Sequence, residues 1–249
     1  MTETEFRYKF DVLFNNIMSN AAPGLDDYEV SQILTKAQLE LVKDYFNPKG
    51  NKYVEGFDNS PKRQADFSSL IQTDTLERSE DESNFDFRAI VFKFPTKFVS
   101  ILNESLNITT NDVTTSRQII PLSYVEYTRL MSKPYKEPLK RQAWRLLTGQ
   151  GEVNEAELIL TTQDRTETNI EYKVRYVRVP KPIIVSDLRR INSVISIDGE
   201  TSPRTSELNP ELHEEILQRA VEIAKAAYSS DQSGQAQMQN QITIGQRSE

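Results

Sequence analysis

Cysteine is absent from the 249 residues, which removes disulfides, thiolate nucleophiles and thiolate metal sites together. Histidine occurs once, at His213. LHEEIL holds no second histidine four residues on, so the two-histidine zinc-protease pattern fails, and a Ser-His-Asp triad would have to recruit that one ring. His213 reads as a lone helix-surface histidine, half-covered at the border of an apolar stripe. The eight glycines fall into neither a dinucleotide-binding nor a P-loop pattern, and the close pair Gly149 and Gly151 reads as a hairpin turn between AWRLLT and AELILT. Adjacent acids such as Asp26/Asp27 and Asp81/Glu82 lack EF-hand spacing. No apolar run approaches the ~20 residues of a membrane-spanning helix, and MTETEFRYKF carries no secretory pattern. The expectation is a soluble protein of a reducing cytoplasm, not an enzyme, with no catalytic residue, metal or cofactor and no membrane partner.

What is present is ordinary globular composition, 37% hydrophobic and 27% charged, with an uneven spread of charge around a net of −7. Residues 1–128 carry 13 Lys and Arg against 20 acids, residues 129–191 carry 13 against 8, and residues 192–249 carry 4 against 9. An acidic chain with a basic middle is no general nucleic-acid binder, but it can present one positive surface to a polyanion. Within that window KPYKEPLKRQAWR interleaves Lys133, Lys136, Lys140, Arg141 and Arg145 with Tyr135 and Trp144, the mixture that meets phosphates and stacks on bases. These five cations are the candidate DNA contacts. With Glu137 and two prolines among them the stretch reads equally well as a solvated loop.

Periodicity organises the rest. Phe6, Phe10, Leu13, Phe14 and Ile17 trace one helix. Val30, Ile33, Leu34, Ala37, Leu41 and Tyr45 trace a second, with Asp26 and Glu29 spaced for a capping box, and the pair predicts an antiparallel helical hairpin. Residues 48–68 show no sustained period and read as a long ordered loop. From residue 69 the period becomes two through SLIQTDTL, FDFRAIVFKF, FVSILNESLNIT, AWRLLTG, AELILTT and IEYKVRYVRV, predicting an antiparallel sheet with a short helix at 123–133. Asn209 and Pro210 then open a last helix with Leu212, Ile216, Ala220, Ile223 and Ala227 on one stripe. The fold class is α+β: an N-terminal helical hairpin and a C-terminal helix packed with an antiparallel β-sheet. Residues 1–228 read as one domain.

Two stretches pose specific questions. In YKVRYVRVPKPIIV the apolar face runs through Tyr172, Val174 and Tyr176, then passes to Val177 and Val179, which predicts a bulge at Tyr176–Val177 with Arg178 held by an acidic partner. Pro180 and Pro182 then stop ladder pairing. Residues 229–249 are Gln- and Ser-rich and read as an extended tail that only a partner's surface would order, with Ile242 and Ile244 on one side of QITIG for docking on a sheet edge.

EFRYKFDVLFNNIMSNAAPGLDDYEVSQILTKAQLELVKDYF, GFDNSPKRQADFSSLI, YKVRYVRVPKPIIVSDL, SIDG and SELNPELHEEILQRAVEIAKAAY, in that order, resemble the ring (head-to-tail adaptor) proteins of crAss-like tailed bacteriophages, over residues 4–228. The resemblance implies a structural virion protein, made in the host bacterial cytoplasm. It would assemble as a dodecameric ring between portal protein and tail, beside other tail ring proteins, and continue the channel for genomic DNA. It carries no catalytic residues. Lys62 and Arg63 of the PKRQADF loop, with Arg175, Arg178 and Lys181, become subunit or channel contacts. A different class of function, a nucleic-acid-binding module using residues 129–191, fits the same cations; a hydrolase fits the sequence least.

Overall fold

The computed structural model describes residues 1–17, 24–46, 61–79, 89–133, 136–150, 153–161, 164, 169–192 and 194–227. The tail 229–249, with Ile242 and Ile244, lies outside them. The chain forms two compact units, Met1–Leu70 with the chain from Pro180 onward, and Ile71–Val179. Elements of both kinds make a mixed α+β fold, as the periodicity predicts. Among the described residues no helix is long and apolar enough to cross a membrane.

The helical unit contains α1 (Glu3–Ile17), α2 (Asp27–Phe46), α3 (Pro61–Asp66) and α5 at 213–227. Capping boxes open the first two helices: Glu5 N–H to Thr2 Oγ1 at 3.3 Å with Thr2 N–H to Glu5, and Glu29 N–H to Asp26 Oδ1 at 2.7 Å with Asp26 N–H to Glu29. Asn209 caps the turn that leads into α5, through Glu211 N–H, while its amide donates to Asp66 Oδ1 at 2.8 Å. The predicted apolar stripes are buried: Phe6, Phe10, Val30, Leu34, Ala37, Ile216 and Ala220 are all fully covered. Each large side chain so covered contributes about 1.5–3 kcal/mol. Two sequence readings change here. Residues 61–66 of the expected loop are helical, and Phe67 behind them is buried against Tyr45 and Phe46. His213 is 3% exposed, not on the helix surface. Its Nε2 meets Leu208 O at 3.1 Å, its Nδ1 meets the Met1 ammonium at 2.7 Å, and its ring lies against Phe6. Burial, and then that ammonium, lower its pKa, so the ring is neutral, accepting at Nδ1 and donating at Nε2.

A second stripe on α2, invisible to apolar periodicity, is polar and buried: Ser31, Thr35 and Gln38. It holds the segment that follows Pro180. Val185 N–H donates to Ser31 Oγ (3.1 Å), Ile183 N–H to Thr35 Oγ1 (3.1 Å), and Gln38 Nε2 donates to Lys181 O (2.9 Å). Ser206 completes the set by donating to Gln38 Oε1 at 2.6 Å.

The β unit contains β1 (Ile71–Leu76), β2 (Ala89–Phe94), β3 (Phe98–Thr110), β4 (Val113–Pro121), α4 (Tyr124–Met131), β5 (Gln142–Gln150), β6 (Val153–Ile159) and β7 (Ile170–Arg178), in the strand order β1-β7-β3-β4-β5-β6-β2. Past Leu76 the chain goes on to bond β2, Lys93 N–H to Glu77 O at 2.9 Å and Ser79 N–H to Val91 O at 2.8 Å, so the first strand of the row meets the last and the sheet curls closed. The interior is apolar, with Ile90, Phe92, Leu106, Ile108, Leu158, Tyr172 and Val174 at its centre. On the outside, α4 lays Tyr127 on Ala89, Trp144, Leu146 and Ile159.

Sequence reasoning missed β4. Its residues VTTSRQIIP are mostly exposed and polar, so no alternation marks them. The signal lay in the turn, where Asn111 and Asp112 both take positive φ (50° and 63°), the two-residue hairpin conformation that Asn and Asp accept best. β4 also supplies the departure from an all-antiparallel sheet. Residues 113–117 pair antiparallel with β3, then residues 118–121 pair parallel with β5, with α4 as the crossover. The predicted bulge sits on the partner strand: β7 keeps unbroken register with β1, while β3 slips between Phe98 and Ser100 and again between Ile101 and Asn103. At the changeover Arg117 clasps Asp164 with two bonds, Nε to Oδ2 at 2.9 Å and Nη2 to Oδ1 at 2.8 Å, both side chains 12% exposed.

Two measurements test these anchors. Thr35→Val keeps the shape and strands the buried Ile183 N–H, so it should lower the urea-unfolding free energy by about 1–3 kcal/mol, while Thr35→Ser should cost little; equal effects would remove the hydrogen bond's role. The Arg117 hydrogen bond holds the Asp164 carboxyl below its usual range. A depressed carboxylate stabilises the fold above the unfolded pKa of about 3.9 and loses that contribution as pH falls through the folded value. Asp164→Asn should therefore weaken the protein at pH 7 and flatten the acid limb of its stability curve below about pH 4. An unchanged acid limb would place the titrating carboxylates elsewhere.

Candidate interface and channel surfaces

The basic stretch is positioned by the parallel β4–β5 pair, whose connection has to return the chain along the sheet. Ser123 and Glu126 start α4 with a capping box, each side chain bonding the other's backbone, and backbone and hydroxyl bonds from Ser123 lower the pKa of Glu126. Tyr127 is buried on this helix, whereas Tyr124 and Val125 stand 60% and 79% exposed. The connection then carries Lys133, Lys136, Lys140 and Arg141, all exposed. The side chains of Lys133, Lys140 and Arg141 have no hydrogen-bond or ion-pair partner among the described residues. Arg145 differs. It sits on β5 with Trp144 and Leu146 turned to the outer layer and its own side chain turned inward, 9% exposed, beside Glu104.

A second polar surface covers the outer side of β1, β7 and β3. The register sets Thr73, Arg175 and Asn103 side by side, then Thr75, Lys173 and Ser105, then Glu171 and Asn107, while Tyr172, Val174 and Tyr176 fill the interior. Arg175 Nε donates to Thr73 Oγ1 at 3.3 Å, and Lys173 pairs Glu171 at 2.7 Å, which with the Asn107 amide lowers the Glu171 pKa. On the inner side, burial and the bond to Asp74 push the Tyr176 hydroxyl up to about 12. Arg178 is half-buried, with Nη1 3.5 Å from Val179 O. In the helical unit, Lys62 is exposed on α3 at 3.4 Å from Glu211, and Lys181 is exposed with its N–H 3.3 Å from Glu207. The Arg63 side chain lies outside the described residues. The five residues that the family resemblance singles out therefore belong to two different units.

The third feature was not legible in the sequence. Where β4 leaves β3 for β5, a cleft of about 350 Å³ opens between Ile101–Glu104 on one strand and Gln118, Ile119 and Pro121 on the other, with Arg145 also lining it. Tyr172 donates to Glu104 Oε1 at 2.5 Å, and burial, then the carboxylate, raise the tyrosine's pKa. Arg145 Nε lies 3.0 Å from the same oxygen yet is a buried donor without a hydrogen bond, so the pair attracts by charge while its N–H points elsewhere.

Comparison with known proteins agrees with a structural role. The family described as phage tail ring protein 3/4 matches residues 1–236. Ring protein 4/5 of Bacteroides phage crAss001 is 50% identical over 251 residues, covering the whole of both chains. Ring protein 3 of the same phage is 29% identical over 232 residues, 90% of this chain and 95% of its own. The chain belongs to the tail ring protein family of crAss-like phages, and so is a structural component of the virion tail.

Proposed function

We propose that the chain is one subunit of a dodecameric ring in the head-to-tail connector, set between portal protein and tail beside other ring proteins and continuing the DNA channel. The observation that carries this reading is the end-to-end match to a named ring protein at 50% identity. The exposed, unpaired Lys133, Lys140 and Arg141, and Arg175 on its polar sheet face, are consistent with surfaces that meet phosphates or neighbouring copies. We take residues 1–228 as the ring-building body, with Lys62, Arg63, Arg175, Arg178 and Lys181 as subunit or channel contacts, and residues 229–249 as a docking tail through Ile242 and Ile244. The reading gives the chain no catalytic role and no cofactor, and synthesis in the host bacterial cytoplasm.

The test is assembly of the purified full chain. Closed rings should form with rising concentration in the absence of DNA, and Lys136→Glu with Lys140→Glu should leave rings intact while slowing genome ejection from reconstituted virions. A monomer that binds DNA with strong salt dependence and forms no rings would instead favour the isolated nucleic-acid-binding module. Normal ejection by the double variant would move these lysines off the channel.

A further inference from the structure

We propose that the fork between β3 and β4 of one copy receives an extended segment of a second copy, residues 240–245 (NQITIG), as an added strand. The proposal rests on the ring reading and names the surface on which a docking tail would sit. It begins with an open strand edge. On the side away from β7, β3 pairs with β4 only from Leu106 to Thr110. Its residues 99–105 have no strand on that side among the described residues, and Glu104 N–H is satisfied locally by Asn103 Oδ1 at 2.8 Å. An unpaired edge is a template for strand addition, and most of this sheet's other edges are removed by its closure.

The chemistry of the cleft narrows the occupant. The Arg145 guanidinium is nine-tenths buried and lines it, its Nε without a hydrogen bond and its Nη groups donating none among the described residues. The Nη groups thus carry donors that no described residue accepts, and main-chain carbonyls of an incoming strand are suitable acceptors for them. Glu104 already neutralises the arginine, so an uncharged strand suits the site better than an acidic one. Ile101, Leu102 and Ile119 give apolar walls, and about 350 Å³ lies at the small end for binding clefts, room for a strand's side chains but not for a helix.

The described chain ends at residue 227, and residues 232–246 that follow carry no charge. Within them QITIG is the run with β-branched residues at spacing two, which puts Ile242 and Ile244 on one side of a strand. The 15 residues from 227 to 242 reach up to about 50 Å when extended, far enough for a neighbouring copy.

Because the chain has no cysteine, the test is clean. Leu102→Cys with Ile242→Cys in the full chain, assembled and mildly oxidised, should give a ladder of covalently joined copies that either single variant lacks. In the unmutated protein, amide exchange at residues 99–105 should slow at least tenfold on assembly. Rings that form without a ladder and without slowed exchange overturn the fork inference and leave the ring reading standing. A bond formed only within one chain, or slowed exchange that persists after residues 229–249 are deleted, rejects the second copy's tail as the occupant. Failure to form rings at any concentration defeats the ring reading itself, and this inference falls with it.

Discussion

A backbone that leaves a sheet and runs through a hydrophobic interior must have its N–H and C=O groups paired, and the helical unit is organised around that constraint. Among the described residues, 181–185 have no strand ladder beyond the single bridge from Ile184 to Arg204. The stripe of Ser31, Thr35 and Gln38 acts in its place, three side chains one helical turn apart bonding three successive stations of the segment. Both prolines simplify the task, because Pro180 and Pro182 bring no N–H that would need an acceptor. Ile183, Ile184 and Val185 can then be buried completely or nearly so. The Pro-Lys-Pro ending of β7 thus marks a change of partner, from the carbonyls of neighbouring strands to the hydroxyls and amide of one helix.

The β unit solves a related problem with charge. A strand that exchanges one neighbour for another at Arg117–Gln118 leaves a gap in the ladder on each side of the change. On the Arg117 side the gap is tied by a two-bond clasp in which both Asp164 oxygens accept from the guanidinium and both side chains are little exposed, the bidentate geometry in which charge-assisted bonds are strong. On the other side Arg145 and Glu104 are equally buried, but the arginine's donors are not matched to the carboxylate. A buried pair of that quality contributes little to stability. Of two ion pairs of similar burial, one has both carboxylate oxygens bonded by the guanidinium and the other has a buried arginine Nε without a hydrogen bond, so the first is the better anchor.

Legibility in the sequence followed how far each feature depends on local pattern. The first two helices and the last, the capping box at Asp26 and Glu29, the helix at 123–133 and six of the seven strands are products of period, cap and turn chemistry, and the periodic reading placed them, whereas the short α3 at 61–66 was read as loop. What failed depended on tertiary partners. Ser31, Thr35 and Gln38 look like a solvated helix face until the segment they bond is known. His213 looks superficial until Leu208 and the start of α1 close over it. β4 has no apolar alternation because its outer face and much of its inner face are solvated, and only the Asn-Asp turn betrays it. Of the candidate contacts, the exposed lysines of the α4–β5 connection were legible as a charge cluster. The inward turn of Arg145 was not, since strand phase is fixed only once Ala143 and Leu147 are known to face the interior.

A ring subunit has to satisfy two demands that pull against each other: it must remain unaggregated as a free chain, yet pair with copies of itself. Closing a sheet answers the first by removing the long open edges through which β proteins stick together indiscriminately. The second then needs an opening that is short, recessed and chemically selective. A fork of this kind has those properties, because β3 exposes only a few backbone groups before β4 covers it again, and the Arg145–Glu104 pair on its floor disfavours strands carrying net charge. Among the described residues, exposed apolar side chains such as Tyr8, Val12 and Val194 are the normal remainder of a globular surface, and the proposed docking therefore draws its specificity from strand geometry and matched polar groups.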